Sequence, residues 1–418
     1  MSSKSHSSRV TDSALSSTAI TKDVPVRKIG FLFNHEHVHQ IPHAATVGFV
    51  LSTLSASAEV CFITSSRPQL EYLKRLERDY PQHKCSYITI SIPAYLRTIG
   101  AVLDKAIPFT KIALLKLNLP VFKSLDALVV PEKTSILLRS QFGLRNLKFI
   151  YTAHGAGDRA IGFDKHTAEF DLVFLSGPKI KQRMEDVGIL KKTASCIIGY
   201  PKFDAVHAFS RKRTKIFDND RLTVLYNPHF SPHLSSWYKM GINILEYFYN
   251  SDIYNLVFAP HVMLYRRKMH LSQEKLSLGR VRSIPQKYRD CRHIHIDTGS
   301  AACTDMTYTL ASDLYLGDVS SQVWEFLVEP KPCLFANAHN VNWENDPNYL
   351  YWHTGPVFND IEKLHDTLQL AISTHNNYRT KQEELFRYTF DVDGETSSIR
   401  AARAILEFLD QSSHNSTG

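Results

Sequence analysis

The 418-residue chain reads as an α/β protein of two doubly wound domains, each a parallel sheet flanked by helices, facing one another across a cleft. Three observations carry that expectation. Short apolar runs rich in β-branched and aromatic residues recur through the first half and end in Gly, Ser, Pro or Asn, as buried parallel strands do before turning into a helix. Helical patterns with apolar residues three and four apart lie between several of them, as in "RPQLEYLKRLERDY". After a charged segment the same alternation starts again.

In chain order, the first series of strand-like runs covers residues 26–34, 58–66, 85–92, 125–132, 147–155 and 170–177. The segment "FSRKRTKIFDNDR", residues 209–221, is too charged for a core and reads as the linker. The second series covers residues 222–229, 254–261, 293–297, 312–318 and 331–337. The expected division is therefore a lead-in (1–24), a first Rossmann-like domain (25–208), the linker (209–221), a second Rossmann-like domain (222–395) and a C-terminal helix and tail (396–418).

Composition narrows the class. Hydrophobic residues make up 43% and charged residues 22%, and no segment approaches the roughly 20 uninterrupted apolar residues that a membrane span needs. The Ser/Thr-rich lead-in lacks the apolar run of a secretory signal, so it is expected to be disordered and the protein cytoplasmic. The cysteines, Cys61, Cys85, Cys196, Cys291, Cys303 and Cys333, form no Cys-x-x-Cys pair, which argues against a disulfide framework and a zinc site. A formal charge of +8 favours anionic partners: nucleotides, nucleic acid, polyanionic polymers or an acidic membrane face. Residues 96–123, apolar but punctuated by lysines, form either an ordinary packed helix pair or a peripheral surface resting on the anionic inner membrane face.

Ligands of open α/β sheets bind beyond the carboxyl ends of the strands, so the strand tips are the candidate site. They are His154-Gly155, Gly199-Tyr200-Pro201, Asn227-Pro228-His229, Ala259-Pro260-His261 and Asp318-Val319-Ser320-Ser321. Histidine stands at three of the five, and there it serves as a general base or as a donor to phosphate oxygens. Gly155 permits a sharp turn or the close approach of a ligand. In "GDVSSQVWEFLVEPKP" a strand runs into a helix whose first N–H groups, together with Ser320 and Ser321, suit a phosphate. The alternative is that Asp318 or Ser320 only caps the helix. Glu325, farther along that helix, either holds ribose hydroxyls or sits on a solvated face. The loop "NHEHVHQIPH" carries His35, His39 and His43 and reads as lining the acceptor; with no acid beyond Glu36 and no cysteine, no metal is expected.

Taken together these segments, over roughly residues 125–380, resemble the CDP-glycerol glycerophosphotransferase family, the teichoic-acid and capsule polymerases and primases of GT-B fold. "TAHGAGDRAIGFD" matches its His-Gly motif with His154, Arg159 and Gly162; "DLVFLSGP" and "GYPKFD" match the following strand and the Gly-Tyr-Pro. Pro260-His261, Asp318, Ser320, Ser321, Glu325 and Lys331-Pro332 fill its second-domain motifs, and "HTGPVFND" its closing segment. This chain has Ala156, Val319, Glu325 and Ala259 where the family commonly has Thr, Tyr, Asp and Lys.

The resemblance implies a cofactor-free transferase that moves glycerol phosphate, or a related polyol phosphate, from a CDP-linked donor to a hydroxyl of a cell-surface polymer or lipid-linked acceptor, releasing CMP. His154 would be the base and His261 would act on a donor phosphate. Ser320 and Ser321 would hold the pyrophosphate and Glu325 the ribose, with Gly155, Arg159, Pro260 and Asp318 also donor-binding and His35, His39, His43 and His229 facing the acceptor. Nucleic acid is not among the expected partners. The rival expectation is a GT-B glycosyltransferase using a nucleotide-sugar donor in capsule or lipopolysaccharide synthesis. A nucleotide-sugar hydrolase or epimerase and a catalytically silent polyanion-binding protein complete the alternatives.

Overall fold

The computed structural model describes residues 26–34, 38–104, 107–153, 155, 157–158, 164–209, 214–272 and 274–414. Its first sheet comprises β1 (Arg27–Phe33), β2 (Ala58–Thr64), β3 (Ser86–Thr89), β4 (Ala127–Val130), β5 (Lys148–Thr152), β6 (Leu172–Leu175) and β7 (Ala194–Ile197). All are parallel, in the order β3-β2-β1-β4-β5-β6-β7. β8 (Leu222–Asn227), β9 (Tyr254–Phe258), a hairpin of β10 (Met269–Ser272) and β11 (Ser277–Arg280), β12 (Ile294–Ile296), β13 (Leu314–Gly317), β14 (Cys333–Ala336) and β15 (Val357–Phe358) follow. The second sheet is parallel in the order β12-β9-β8-β13-β14-β15.

Both sheets reverse winding direction once, between β1 and β4 and between β8 and β13. A crevice opens at such a reversal because the helices leave the neighbouring strands toward opposite faces. The central strands are apolar at nearly every position because both faces are covered. On one face of the first sheet Phe31, Phe33 and Phe62 pack with Phe49, and on the other Leu32, Ile63 and Val173 pack with Leu115 and Phe122. The second sheet is sandwiched likewise, by Trp324 and Trp352 on one side and Trp237 and Phe248 on the other.

The chain crosses between the sheets more than once. After the helix His375–Thr389 it returns to the first half, where the helix Ser397–His414 buries Ala401, Ala402, Ile405 and Leu409 in the core of the first sheet. Ser398 Oγ donates to Asp204 Oδ2 (2.6 Å) and lies 2.7 Å from Thr46 Oγ1, whose hydroxyl completes the contact. This return explains Gly199, which has φ +83°: a Cβ there would lie 2.5 Å from the Asp391 carbonyl oxygen. No helix among the described residues is long and apolar enough to cross a membrane.

Candidate functional site

At the winding reversal of the second sheet, the tips of β8, β9 and β13 are wired together. Asp318 is buried, and its carboxylate accepts from His229 N (2.9 Å), Val319 N (2.6 Å), Ser236 N (2.6 Å) and Ser236 Oγ (2.9 Å). Burial pushes this carboxyl up to about 6, against the pull of those donors. The expectation that Asp318 contacts the donor is corrected: its oxygens face inward and hold the segment after β8 in register with the tip of β13. Asn227 Nδ2 donates to the Ala259 carbonyl (2.6 Å), and His261 N to the Pro228 carbonyl (3.0 Å), so the two Pro-His turns are bonded to each other.

Those turns bring the rings of His229 and His261 to 5.4 Å, each packed on Phe230. They are oriented alike. His229 Nδ1 accepts from Ser231 N (3.1 Å) and His261 Nδ1 from Met263 N (3.2 Å), which fixes the proton of each neutral ring on Nε2. Burial, and then the neighbouring His270, lower the His261 pKa to about 4. Near neutral pH His261 is therefore an uncharged ring whose Nε2 carries the proton, with His229 beside it. An incoming phosphate raises the affinity of the His261 ring for a proton. His229 was expected on the acceptor side; the structure joins it to His261.

Beyond β13, the helix Gln322–Phe326 is shorter than its sequence pattern implies. Ser320 is buried, with Oγ accepting weakly from Gln322 N (3.4 Å), whereas Ser321 is exposed. Against Ser321 stands the loop that follows β5: a Cβ placed on Gly157 would lie 3.6 Å from the Ser321 Cβ. Asp158 pins this loop. Its buried carboxylate takes Lys179 Nζ (2.5 Å), Trp324 Nε1 (3.3 Å) and Tyr351 N (3.3 Å), the last two from the second half. Arg183 donates to the Asp158 carbonyl and to the Pro347 carbonyl (3.2 Å). Among the described residues, its chain neighbours aside, none has an atom within 4 Å of where a Cβ on Gly155 would stand. His154, Arg159 and His35 lie outside the described residues.

Glu325 departs from expectation in an informative way. Its side chain is 8% exposed and its Oε1 accepts from Lys202 Nζ (2.6 Å) and Tyr200 Oη (3.0 Å), both on the first half. The ribose role is corrected to that of a clasp between halves, since the short helix turns the carboxylate inward. Gly199-Tyr200-Pro201, counted among the chemical tips, is likewise part of this seam. His43 is also in it, 3% exposed and edge-on to Tyr200 at 5.1 Å, so it does not line an acceptor surface; His39 is partly buried. The clasp partners Lys202, Lys179 and Trp324 were missed because a buried ion pair leaves no mark in periodicity. Among the described residues no group of three or more His, Cys, Asp or Glu is placed to hold a metal ion.

No family model and no curated protein matches this sequence. Solved structures do. The wall teichoic acid polymerase TagF, soaked with CDPG, is similar at TM-score 0.57 and 13% identity over 94% of this chain and 91% of that one. A putative UDP-N-acetylglucosamine 2-epimerase from Listeria monocytogenes is similar at TM-score 0.54 and 14% identity, over 92% and 95% of the two chains. MnaA of S. aureus in complex with UDP gives 0.56 and 12%, over 91% and 95%. With the two sheets described above, these likenesses establish the GT-B fold.

Proposed function

Starting from a GT-B scaffold with paired histidines at its second winding reversal, we propose that the protein transfers glycerol phosphate, or a related polyol phosphate, from a CDP-linked donor to a hydroxyl of a polymer or lipid-linked acceptor. The observation that carries this reading is the meeting of the loop after β5, at Gly157, with Ser321 of the other half. Residues from both halves then bound one space, as transfer between two substrates requires.

In this reading His154 takes the proton of the acceptor hydroxyl as its oxygen attacks the donor's β-phosphorus. An O–P bond forms, the bond from that phosphorus to the bridging oxygen breaks, and CMP leaves. The Nε2–H groups of His261 and His229 and the Ser321 hydroxyl donate to phosphate oxygens as charge moves toward the leaving group. Arg159, Gly155, Pro260 and Ser320 complete the donor surround. A positioned base contributes about 10²- to 10⁴-fold, and a single oxyanion donor about 3 kcal/mol. The acceptor is read as membrane-borne: Tyr95, Ile99, Val102 and Ile107 are exposed apolar residues on a basic protein, which supports a cytoplasmic enzyme working at the inner membrane face.

A second reading, transfer of a sugar from a nucleotide sugar, is favoured by the fold's likeness to a structure holding UDP. The deciding experiment incubates the protein with a panel of CDP-polyols and nucleotide sugars and follows release of CMP, UMP and UDP. CMP from CDP-polyols is expected. Nucleotide release from sugar donors alone replaces the first reading with the second, and no release from any donor with any acceptor removes both.

A further inference from the structure

The β10–β11 hairpin leaves the chain just after His261, at the carboxyl edge of the second sheet, and its burial pattern is inverted. An antiparallel pair with one covered face ordinarily puts polar residues outward. Here His270, Ser272 and Gly279 face inward, while Met269, Leu271, Leu278 and Arg280 face outward. The register is pinned from below. His270 Nε2 bonds the Leu264 carbonyl (2.9 Å), and a Cβ on Gly279 would meet Tyr238 and Pro232 at 2.6 and 2.7 Å, so a one-residue slip is blocked. Leu271 and Leu278 stand directly opposite each other at 62% and 63% exposure, and Leu276 at the turn is 81% exposed. Leu276 also has φ +47°, a left-handed conformation that is costly for leucine and ordinarily given to Gly or Asn.

Around this apolar tip lie six exposed cations, Arg266, Arg267, Lys268, Lys275, Arg280 and Arg282, against one acid, Glu274, which pairs with His233 (2.9 Å). We infer that the hairpin is a membrane-docking element that dips Leu271, Leu276 and Leu278 into the interface of an anionic bilayer while the surrounding cations meet its headgroups. Charge complementarity selects that occupant. A second copy of the chain on this face would oppose six cations with six. Nucleic acid would match the charge but leave the leucines against phosphates. A bilayer satisfies both the apolar tip and the basic rim, with the long Lys and Arg stems reaching back to the headgroups. The element adjoins the histidine pair through His270 and is distinct in sequence from the exposed apolar residues Tyr95, Ile99, Val102 and Ile107 of the first half. If the proposed transfer holds, it also brings the histidine pair close to lipid-borne acceptors.

The test is co-sedimentation of the full chain with phosphatidylcholine vesicles, with and without phosphatidylglycerol. Wild type is expected to bind the anionic vesicles, with binding lost at high salt. The triple variant Leu271→Ser/Leu276→Ser/Leu278→Ser is expected to bind at least tenfold more weakly, and Arg267→Gln/Lys268→Gln by about fivefold for each cation removed. A separate variant, Leu276→Trp, is expected to show fluorescence quenched by brominated lipid, which a fold defect would not mimic. Three outcomes overturn the inference: no difference between anionic and neutral vesicles, full binding by the triple variant, or an unquenched tryptophan in the bound state. If full binding by the triple variant comes with loss of a dimer, the face is a self-association surface instead. None of these readouts requires nucleotide release, so the docking claim and the transfer reaction fail separately.

Discussion

Replacing Lys202 with Met tests how the two halves are held. The Lys202 and Glu325 side chains are 4% and 8% exposed and meet at 2.6 Å, with Tyr200 Oη completing the contact. Removing the cation leaves a carboxylate in a seam that water scarcely enters, and breaking a buried pair in this way costs about 3–5 kcal/mol. For a unit of this size each kcal/mol moves the melting temperature by about 2–4 °C, so Lys202→Met is expected to melt roughly 10 °C lower. Lys202→Met/Glu325→Leu removes both charges and is expected to recover most of the loss, because an apolar replacement of a whole pair is often neutral. The measurement is thermal unfolding by circular dichroism of wild type, both singles and the double, closed as a double-mutant cycle. Should Lys202→Met melt with the wild type, or the double lose the sum of the singles, the pair is not the clasp described.

Other consequences are as direct. The 3.6 Å expected between Cβ atoms at 157 and 321 is right for a disulfide, so Gly157→Cys/Ser321→Cys should cross-link on oxidation and stop turnover until reduced; an unoxidised pair of thiols refutes the contact. His154→Ala is expected to abolish nucleotide release with little loss of donor binding by calorimetry; retained turnover removes its assigned role. Between pH 6.5 and 4 unfolded chains bind a proton that folded His261 refuses, so stability falls as pH drops through that window, by up to about 3 kcal/mol. Asp318 has the opposite sign: its contribution is present below pH 3.8 and lost as pH rises through about 6. His261→Asn removes only the first, so its melting temperature relative to wild type should climb as pH is lowered from 7 to 4.5, and a constant offset contradicts the buried ring. Gly199→Ala, facing both φ +83° and a carbonyl at 2.5 Å, should cost about 2 kcal/mol or more by urea titration. Gly143→Ala, at φ +77° in open space, should cost about 1.

The sheets were legible because a strand buried on both faces must be apolar almost throughout, as in β1, β4 and β13, and the turn residues beyond each strand mark its end. β7 and the edge strand β15 escaped because "ASCI" is half exposed and Val357–Phe358 is only two residues long. The hairpin escaped because its apolar residues face solvent, where patterning carries no instruction about a core. Within the candidate site, His229 and His261 were found from position alone, since the carboxyl edge of a parallel sheet is fixed by the strand order. Asp318, Glu325 and His43 were found but misread. Whether a carboxylate at such a tip faces a ligand or a backbone amide depends on partners distant in sequence, such as Ser236 or Lys202, and no local spacing encodes them.

One feature of the chain path bears on how the protein is made. The helix Ala45–Leu54, which packs on one face of the first sheet, is itself covered by the helix bearing Ala401, Ala402, Ile405 and Leu409, which is translated after the whole second half. Roughly 190 residues separate the end of the first half from that covering helix, about 10 to 40 seconds at ordinary elongation rates. Throughout that interval the nascent first half stands on the ribosome with the helix bearing Val47 and Leu51 uncovered on its outer side, a surface for chaperones to shelter until synthesis is complete.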